Sequence, residues 1–317
     1  MKVSVVSPFY NEAPVLAASL ELMVHHLSKL AEPWELIVVN DGSTDGGEAI
    51  ARTVAARDPR IRVIGYPINQ GRGYALKAGV NVARGALIVT TEIDSSWGDD
   101  IVQRIVAAFD ERPDADVVIA SPHLPGGGYR NVPIKRILLS SIGNFIIRRF
   151  FAAHITMNTG MTRGYRREVI QGLATDERGK EFHLEVLLKL LALDRRMVEI
   201  PAILEWKRRK LAKGDMAAAA STTRIGKTIR SHLRFAVFAN PLKYFWLLSA
   251  LCVVVGAGFM VNAVYRLATG AVSSVMASVG LFLWLFALLF FGFGVVTAQN
   301  QYLMREFWKR SGGSSHE

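Results

Sequence analysis

Two stretches of this chain carry no formal charge: Tyr244–Tyr265, and the interval between Arg266 and Arg305, whose central part is almost wholly apolar. Runs of roughly 22–24 residues at about 1.5 Å rise per residue cover a hydrocarbon core of about 30 Å. Inside lipid the backbone must satisfy its own hydrogen bonds, so such runs have to be helical. The sequence therefore predicts two transmembrane helices, 244–265 and about 275–298, turning through Thr269-Gly270. A chain built this way is not an ordinary soluble domain.

Charge sharpens the picture. Residues 1–202 are nearly balanced, with 24 Lys and Arg against 23 Asp and Glu, whereas residues 203–243 hold ten basic residues against two acidic ones. The basic excess thus belongs to the segment leading into the membrane. It suits anionic lipid headgroups, worth about 1 kcal/mol per cation, and no nucleic-acid partner is expected, because no folded face is basic. Within it, Ile225, Ile229, Leu233 and Ala236 share one helical face opposite Lys227, Arg230 and Arg234, the pattern of an interfacial helix. A similar stretch at 133–151 reads equally well as a surface helix. Only Arg266 lies between the spans, so the positive-inside rule places both termini and the N-terminal domain in the cytoplasm. Met1-Lys2 runs directly into a strand, which agrees with a domain that stays on the side where it is made. The lone Cys252 excludes a disulfide framework and a Cys-based zinc site. The spans also offer a surface through which copies could associate.

Upstream, Val3–Val6, Leu36–Val39, Ile61–Ile64, Leu87–Thr91 and Val117–Ala120 read as strands, with helices near 14–31, 45–57, 72–84 and 99–111 between them. Such alternation predicts an α/β domain with a mostly parallel sheet and a ligand site at the carboxyl ends of the strands. The expected division is a catalytic domain at 1–215, a juxtamembrane helix at 216–243, the two spans at 244–300 and a basic tail at 301–317.

Three polar motifs sit at strand ends. Glu92-Ile93-Asp94 can share one hard divalent cation; the competing reading is a helix N-cap at Asp94 or Ser95. Asp41, in Asn40-Asp41-Gly42-Ser43, would expose a carboxylate to a ribose hydroxyl or a base N–H, with Ser43 or Asp45 capping the next helix. Gly71-Arg72-Gly73 lacks the third small residue and the preceding strand of a dinucleotide fingerprint, but it can open a helix near a diphosphate, with Lys77 close by. A P-loop, a nucleophile elbow and zinc-spaced histidines are all missing from the sequence.

Taken in order, Pro8-x-Tyr10-Asn11-Glu12, Asn40-Asp41-Gly42-Ser43-x-Asp45, Asn69-x-Gly71-x-Gly73-x-Ala75-x-Lys77 and the acidic pair resemble family 2 glycosyltransferases of the GT-A (Rossmann-like) fold. Asn158-Thr159-Gly160 with Arg163, Glu181-Phe182-His183-x-Glu185 and Val198-Glu199-Ile200-Pro201 resemble its polyprenyl-phosphate branch, typified by dolichyl-phosphate mannose synthase. The resemblance implies inverting transfer of a hexose from a UDP- or GDP-sugar to a polyprenyl phosphate, with Mg²⁺ or Mn²⁺ as cofactor. It implies that Pro8, Tyr10, Glu12, Asp41, Gly71 and Lys77 bind the donor nucleotide and that Glu92 and Asp94 bind metal. On the phosphate side it implies Arg136 and Ser140, grouped with Asp94 as catalytic, and a basic set of Arg163, Arg208, Arg209 and Lys213. The chain departs from the family in having Glu92 for the first Asp, Ser96 for a Gln, and Ser121-Pro122-His123 for Gly-Ser-Arg; Arg130 is one candidate to substitute for the missing arginine, and which residue does so stays open. A family 2 enzyme acting on a polysaccharide or diacylglycerol, and a degenerate membrane scaffold, stay open as alternatives.

Overall fold

The computed structural model describes residues 2–134, 137–138, 140–141, 144, 155–158, 160–179, 181–206, 241–270 and 274–313. The chain divides into two compact units, Met1–His232 and Leu233–Glu317.

The first unit opens with β1 (Val3–Phe9), α1 (Ala13–Leu27), β2 (Trp34–Asp41), α2 (Gly47–Ala55), β3 (Ile61–Tyr66), α3 (Arg72–Val82), β4 (Leu87–Thr90), α4 (Ile101–Glu111) and β5 (Val117–Ser121). These match the strands and helices read from the sequence, to within a few residues at their ends. β6 (Gly128–Arg130), β7 (Arg163–Arg166), α5 (Arg167–Gln171), α6 (Phe182–Ala192), β8 (Met197–Pro201) and β9 (Ile203–Glu205) complete the unit. Seven strands form one sheet in the order β3-β2-β1-β4-β7-β5-β8, and β6 pairs with β9 apart from it. β1, β2, β3 and β4 pair in parallel, as do β5 and β8. Continuous Val/Ile/Leu runs are what a sheet covered on both faces requires.

β7 departs from a wholly parallel reading. It slots between β4 and β5 and runs antiparallel to both. Arg163-Gly164-Tyr165-Arg166 has no apolar run to mark it as a strand. Its place in the sheet rests on contacts from outside: a Cβ on Gly164 would stand 2.4 Å from Ile105 Cγ2 on α4, so only glycine lets that helix lie against the strand.

The amino end of the sheet is closed by Glu35, which is 3% exposed. Its carboxylate accepts the Ser4 hydroxyl at 2.6 Å, the Arg84 N–H at 2.8 Å and Arg62 Nη1 at 3.0 Å. Burial alone would raise its pKa; these hydrogen bonds and Lys2 outweigh that and bring it below the ordinary value of 4.5. A depressed folded pKa contributes stability above the unfolded pKa and loses it as pH falls through the folded value. Acidification below pH 4.5 should therefore destabilise this unit, with a shallower pH dependence in Glu35→Gln. Denaturant midpoints compared across that range check this, and identical slopes for the two proteins would contradict it.

The second unit is a helical hairpin, α7 (Pro241–Ala268) and α8 (Ser274–Gly313). Gly270, at φ 81°, follows α7 in the left-handed conformation that suits a helix end. The Ser249 hydroxyl donates to Ala287 O at 2.8 Å, and Trp246 stacks on Phe291. Leu247, Val254, Leu281 and Leu288 are exposed. Apolar side chains turned outward along both helices fit a lipid surround, in accord with the expected spans. At about 1.5 Å per residue, α8 extends well past a single hydrocarbon thickness. The juxtamembrane helix expected at 216–243 falls almost wholly outside the described residues.

Candidate active site

The loops after β1 and β2 are stitched together at the carboxyl edge of the sheet. Asn11 takes φ 52°, a left-handed conformation that asparagine tolerates. Its N–H donates to Ser43 Oγ at 3.0 Å, and its Oδ1 accepts the Thr44 N–H at 2.9 Å. Asp45 accepts N–H groups from the starts of two helices, Ala13 at 2.8 Å and Gly47 at 3.0 Å. It lies one residue before the N-cap of α2, which is Gly46. Tyr10, which follows Pro8 and Phe9, is 46% exposed, so its ring is available to a planar ligand.

Asp41 corrects the expectation of an open carboxylate, being 4% exposed. Its Oδ1 accepts the Tyr66 hydroxyl at 2.6 Å and the N–H groups of Gln70 and Gly71 at 3.0 and 3.1 Å; its Oδ2 accepts Asn69 Nδ2 at 3.0 Å. Burial, and then the adjacent Asp41 carboxylate, keep the Tyr66 phenol far above its usual range. Asp41 therefore shapes the 69–71 loop from within. Tyr66 was not foreseen, because nothing local marks a tyrosine as the partner of an aspartate 25 residues away.

Gly71 and Gly73 also do something other than cradle a phosphate. At Gly71, φ is 100°, and a Cβ there would stand 2.7 Å from Arg178 O; one on Gly73 would stand 2.6 Å from Gly179 O. They admit the 174–179 segment against the start of α3. Lys77 Nζ donates to Thr175 O, and Arg178 lies over the Tyr74 ring and donates to Gln70 Oε1 at 3.1 Å. The buried Glu185 holds this segment by accepting the N–H groups of Asp176 and Glu177 and pairing with Lys189 at 2.7 Å. Lys77 thus spends one of its three N–H donors on a carbonyl and lines a small pocket together with Tyr74 and Arg178, the latter exposed and announced by no motif.

Glu92 and Asp94 follow β4 and cap no helix: α4 begins at Ile101, with Asp100 as its N-cap. The buried Ile93 and Trp97 pin the loop. Asp94 Oδ1 accepts the N–H and the hydroxyl of Ser96, and Glu92 lies 3.8 Å from Arg72. Among the described residues no cluster of three or more His, Cys, Asp or Glu could hold a metal alone. Two hard carboxylates one residue apart still fit Mg²⁺ or Mn²⁺, ions that take one or two protein carboxylates and complete their shell with substrate phosphate and water.

On the other side of this loop, the Glu205 N–H donates to Ser96 O at 2.7 Å, which brings β9 and its partner β6 alongside Asp94. Arg130, on β6, is exposed and 3.6 Å from Glu205. Arg163 is a second correction: it is fully buried in β7, donating to Asn158 O at 2.7 Å and His183 O at 3.0 Å. A guanidinium spent on backbone carbonyls inside the sheet does not present itself to a ligand. The buried His183 has its pKa pushed well down, first by burial and then by the charges of Arg163 and Arg72. Ser140 is partly buried; Arg136, Arg208, Arg209 and Lys213 lie outside the described residues.

Residues 4–173 match the family model for glycosyl transferase family 2. The chain is 32% identical over 204 residues to the polyprenol monophosphomannose synthase of Mycolicibacterium smegmatis, covering 62% of this chain and 75% of that one. It is 29% identical over 242 residues to the undecaprenyl-phosphate mannosyltransferase of Micrococcus luteus, covering 73% and 96%. Among solved structures it resembles glucosyl-3-phosphoglycerate synthase from Mycobacterium tuberculosis, in complex with Mn²⁺, UDP and glucosyl-3-phosphoglycerate. The TM-score is 0.50 at 18% identity, over 64% of this chain and 70% of that one. At that identity the likeness is one of fold.

Proposed function

The chain belongs to glycosyl transferase family 2, and from that premise we propose that it transfers a hexose from a UDP- or GDP-sugar to a polyprenyl monophosphate, with inversion at the anomeric carbon. The observation that carries this reading is the gathering of Tyr10, the Asp41-organised loop and the Glu92–Asp94 pair at the carboxyl ends of the adjacent strands β2, β1 and β4. A hairpin of outward-facing apolar helices on the same chain supports an acceptor that resides in a membrane, as do the printed activities of the two relatives.

In this reading Pro8, Tyr10 and Glu12 meet the base and ribose, while Asp41 holds the 69–71 loop in place beneath them. Glu92 and Asp94 would hold Mg²⁺ or Mn²⁺, which when bound offsets the negative charge that develops on the departing diphosphate. An acceptor phosphate oxygen is already anionic at neutral pH, so attack on C1 needs no strong general base. A bond forms from that oxygen to C1 as the bond from C1 to the diphosphate breaks, and the nucleoside diphosphate leaves with the electron pair. The task left to the protein is alignment and charge stabilisation. Ser140 and Arg136 align the acceptor phosphate, and Arg130, Arg208, Arg209 and Lys213 supply positive potential. The catalytic unit and both termini lie on the cytoplasmic side, with the basic 203–243 segment against anionic headgroups.

Purified full-length chain, incubated with polyprenyl phosphate and a panel of UDP- and GDP-hexoses, tests this. A polyprenyl-phosphate hexose of inverted configuration is the expected product. Transfer to diacylglycerol or a glycan in its place would refute the acceptor class.

A further inference from the structure

Arg178 is fastened by its backbone to the start of α3, while its side chain is left exposed. Its carbonyl accepts the Tyr74 N–H at 3.1 Å, and Tyr74 is the third helical residue after the Gly71 N-cap. One of the amides that a helix N-terminus offers to an anion is therefore already taken. Gly71 and Gly73 make this approach possible, since a Cβ at either would collide with the 178–179 backbone. Glu185 and Lys189 clamp the segment leading up to it, through the N–H groups of Asp176 and Glu177 and the carbonyl of Ala174.

The guanidinium is steadied by groups that do not neutralise it. Its Cζ lies 5.6 Å from the centroid of the Tyr74 ring, and Tyr74 in turn packs edge to face with Tyr66, with 5.1 Å between centroids. Arg178 Nη1 donates to the Gln70 side chain at 3.1 Å. A guanidinium only donates, so that end of the Gln70 amide has to be the oxygen. Gln70 is itself fixed by its N–H on Asp41 Oδ1. An aromatic face and a neutral amide orient a cation without cancelling its charge. Arg72 and Lys189, by contrast, are matched by carboxylates, Glu92 at 3.8 Å and Glu185 at 2.7 Å. Arg178 forms no ion pair among the described residues, so most of its N–H donors stay open to a ligand.

The place of this side chain says which ligand. Residues 70–72 join the two halves of the donor site: Gln70 and Gly71 hang from Asp41, and Arg72 reaches Glu92. A donor with its nucleoside over the Asp41 loop and its phosphates toward the Glu92–Asp94 pair has to cross these residues, alongside Arg178. We infer that Arg178 is a donor-binding residue whose open guanidinium takes non-bridging oxygens of the nucleoside diphosphate, a partner that suits its planar fork. This rests on the proposed donor class. Gly71 and Gly73 then serve the diphosphate indirectly, by seating an arginine beside it.

Titration of the full-length protein with UDP, GDP and their hexose derivatives, in excess Mg²⁺ and without acceptor, tests this with two variants. Arg178→Gln should weaken whichever diphosphate the parent binds by roughly tenfold or more, the scale of a lost charge-assisted hydrogen bond. Tyr74→Leu keeps the cation but removes the ring beneath it, and should weaken binding roughly two- to fivefold. Uridine or guanosine, followed by NMR titration, should bind parent and Arg178→Gln alike, because neither carries a phosphate. Added salt should weaken diphosphate binding more steeply in the parent than in Arg178→Gln. Equal diphosphate affinity in parent and Arg178→Gln would overturn the inference. An equal loss for nucleoside and diphosphate would overturn it too, by making Arg178 a support of the base pocket, and a loss confined to the nucleotide sugar would move it to the hexose. A parent that binds no nucleoside diphosphate would defeat the functional reading along with this inference, whereas a parent that binds it no better than Arg178→Gln defeats the inference alone.

Discussion

Replacing Asp94 with alanine should reduce sugar transfer by roughly 10²–10³-fold or more, the loss typical of removing a group that stabilises transition-state charge. Folding should survive the change. Asp94 hydrogen-bonds to Ser96 within its own loop, and Ile93 and Trp97, which bury on either side, hold that loop in place. Unfolding stability is therefore expected to move by less than about 1 kcal/mol. Glu92→Asp should be tolerated better than Glu92→Ala, because it shortens reach without deleting charge and Arg72 stays nearby at the other end of the loop. Two measurements check this together: initial rates with saturating donor, and Mn²⁺ binding by paramagnetic resonance in the presence of nucleoside diphosphate. Parental turnover in Asp94→Ala, or full activity after chelation of divalent ions, would remove the metal assignment.

Asp41→Ala should act differently, costing stability and donor binding at once. The alanine would strand the N–H groups of Gln70 and Gly71 and the Tyr66 hydroxyl, all of which now donate to one buried carboxylate. Unsatisfied buried groups cost about 1–3 kcal/mol each and are not additive, so a loss of roughly 2–4 kcal/mol is expected for the set. The 69–71 loop would no longer be held beneath the bound nucleotide, and affinity for UDP or GDP should fall by more than tenfold. Calorimetric titration of the nucleoside diphosphate without acceptor, set beside denaturant unfolding, separates the two effects. Unchanged stability would show that the hydrogen bonds to Asp41 are dispensable, and unchanged affinity would move the donor away from this loop.

Local and periodic information carried much of this protein. The apolar runs that became α7 and α8, and the Val/Ile-rich strands β1 to β5 with their intervening helices, are repetitive patterns in which each residue repeats the preference of its neighbours. The positions of Tyr10, Asp41, Glu92 and Asp94 at strand ends followed as well, because a parallel sheet turns strand order into a shared edge. Tertiary structure decided what could not repeat. β7 is a strand only because β4 and β5 flank it and Gly164 leaves room for α4. Arg163 looked like a phosphate ligand by residue type, yet backbone carbonyls from Asn158 and His183 claimed it inside the sheet. Asp41 faces inward for the same reason, with donors brought to it from β3 and the loop beyond. A titratable or charged side chain has no fixed role of its own: its partner sets that role, and the partner is chosen by packing between segments far apart in sequence.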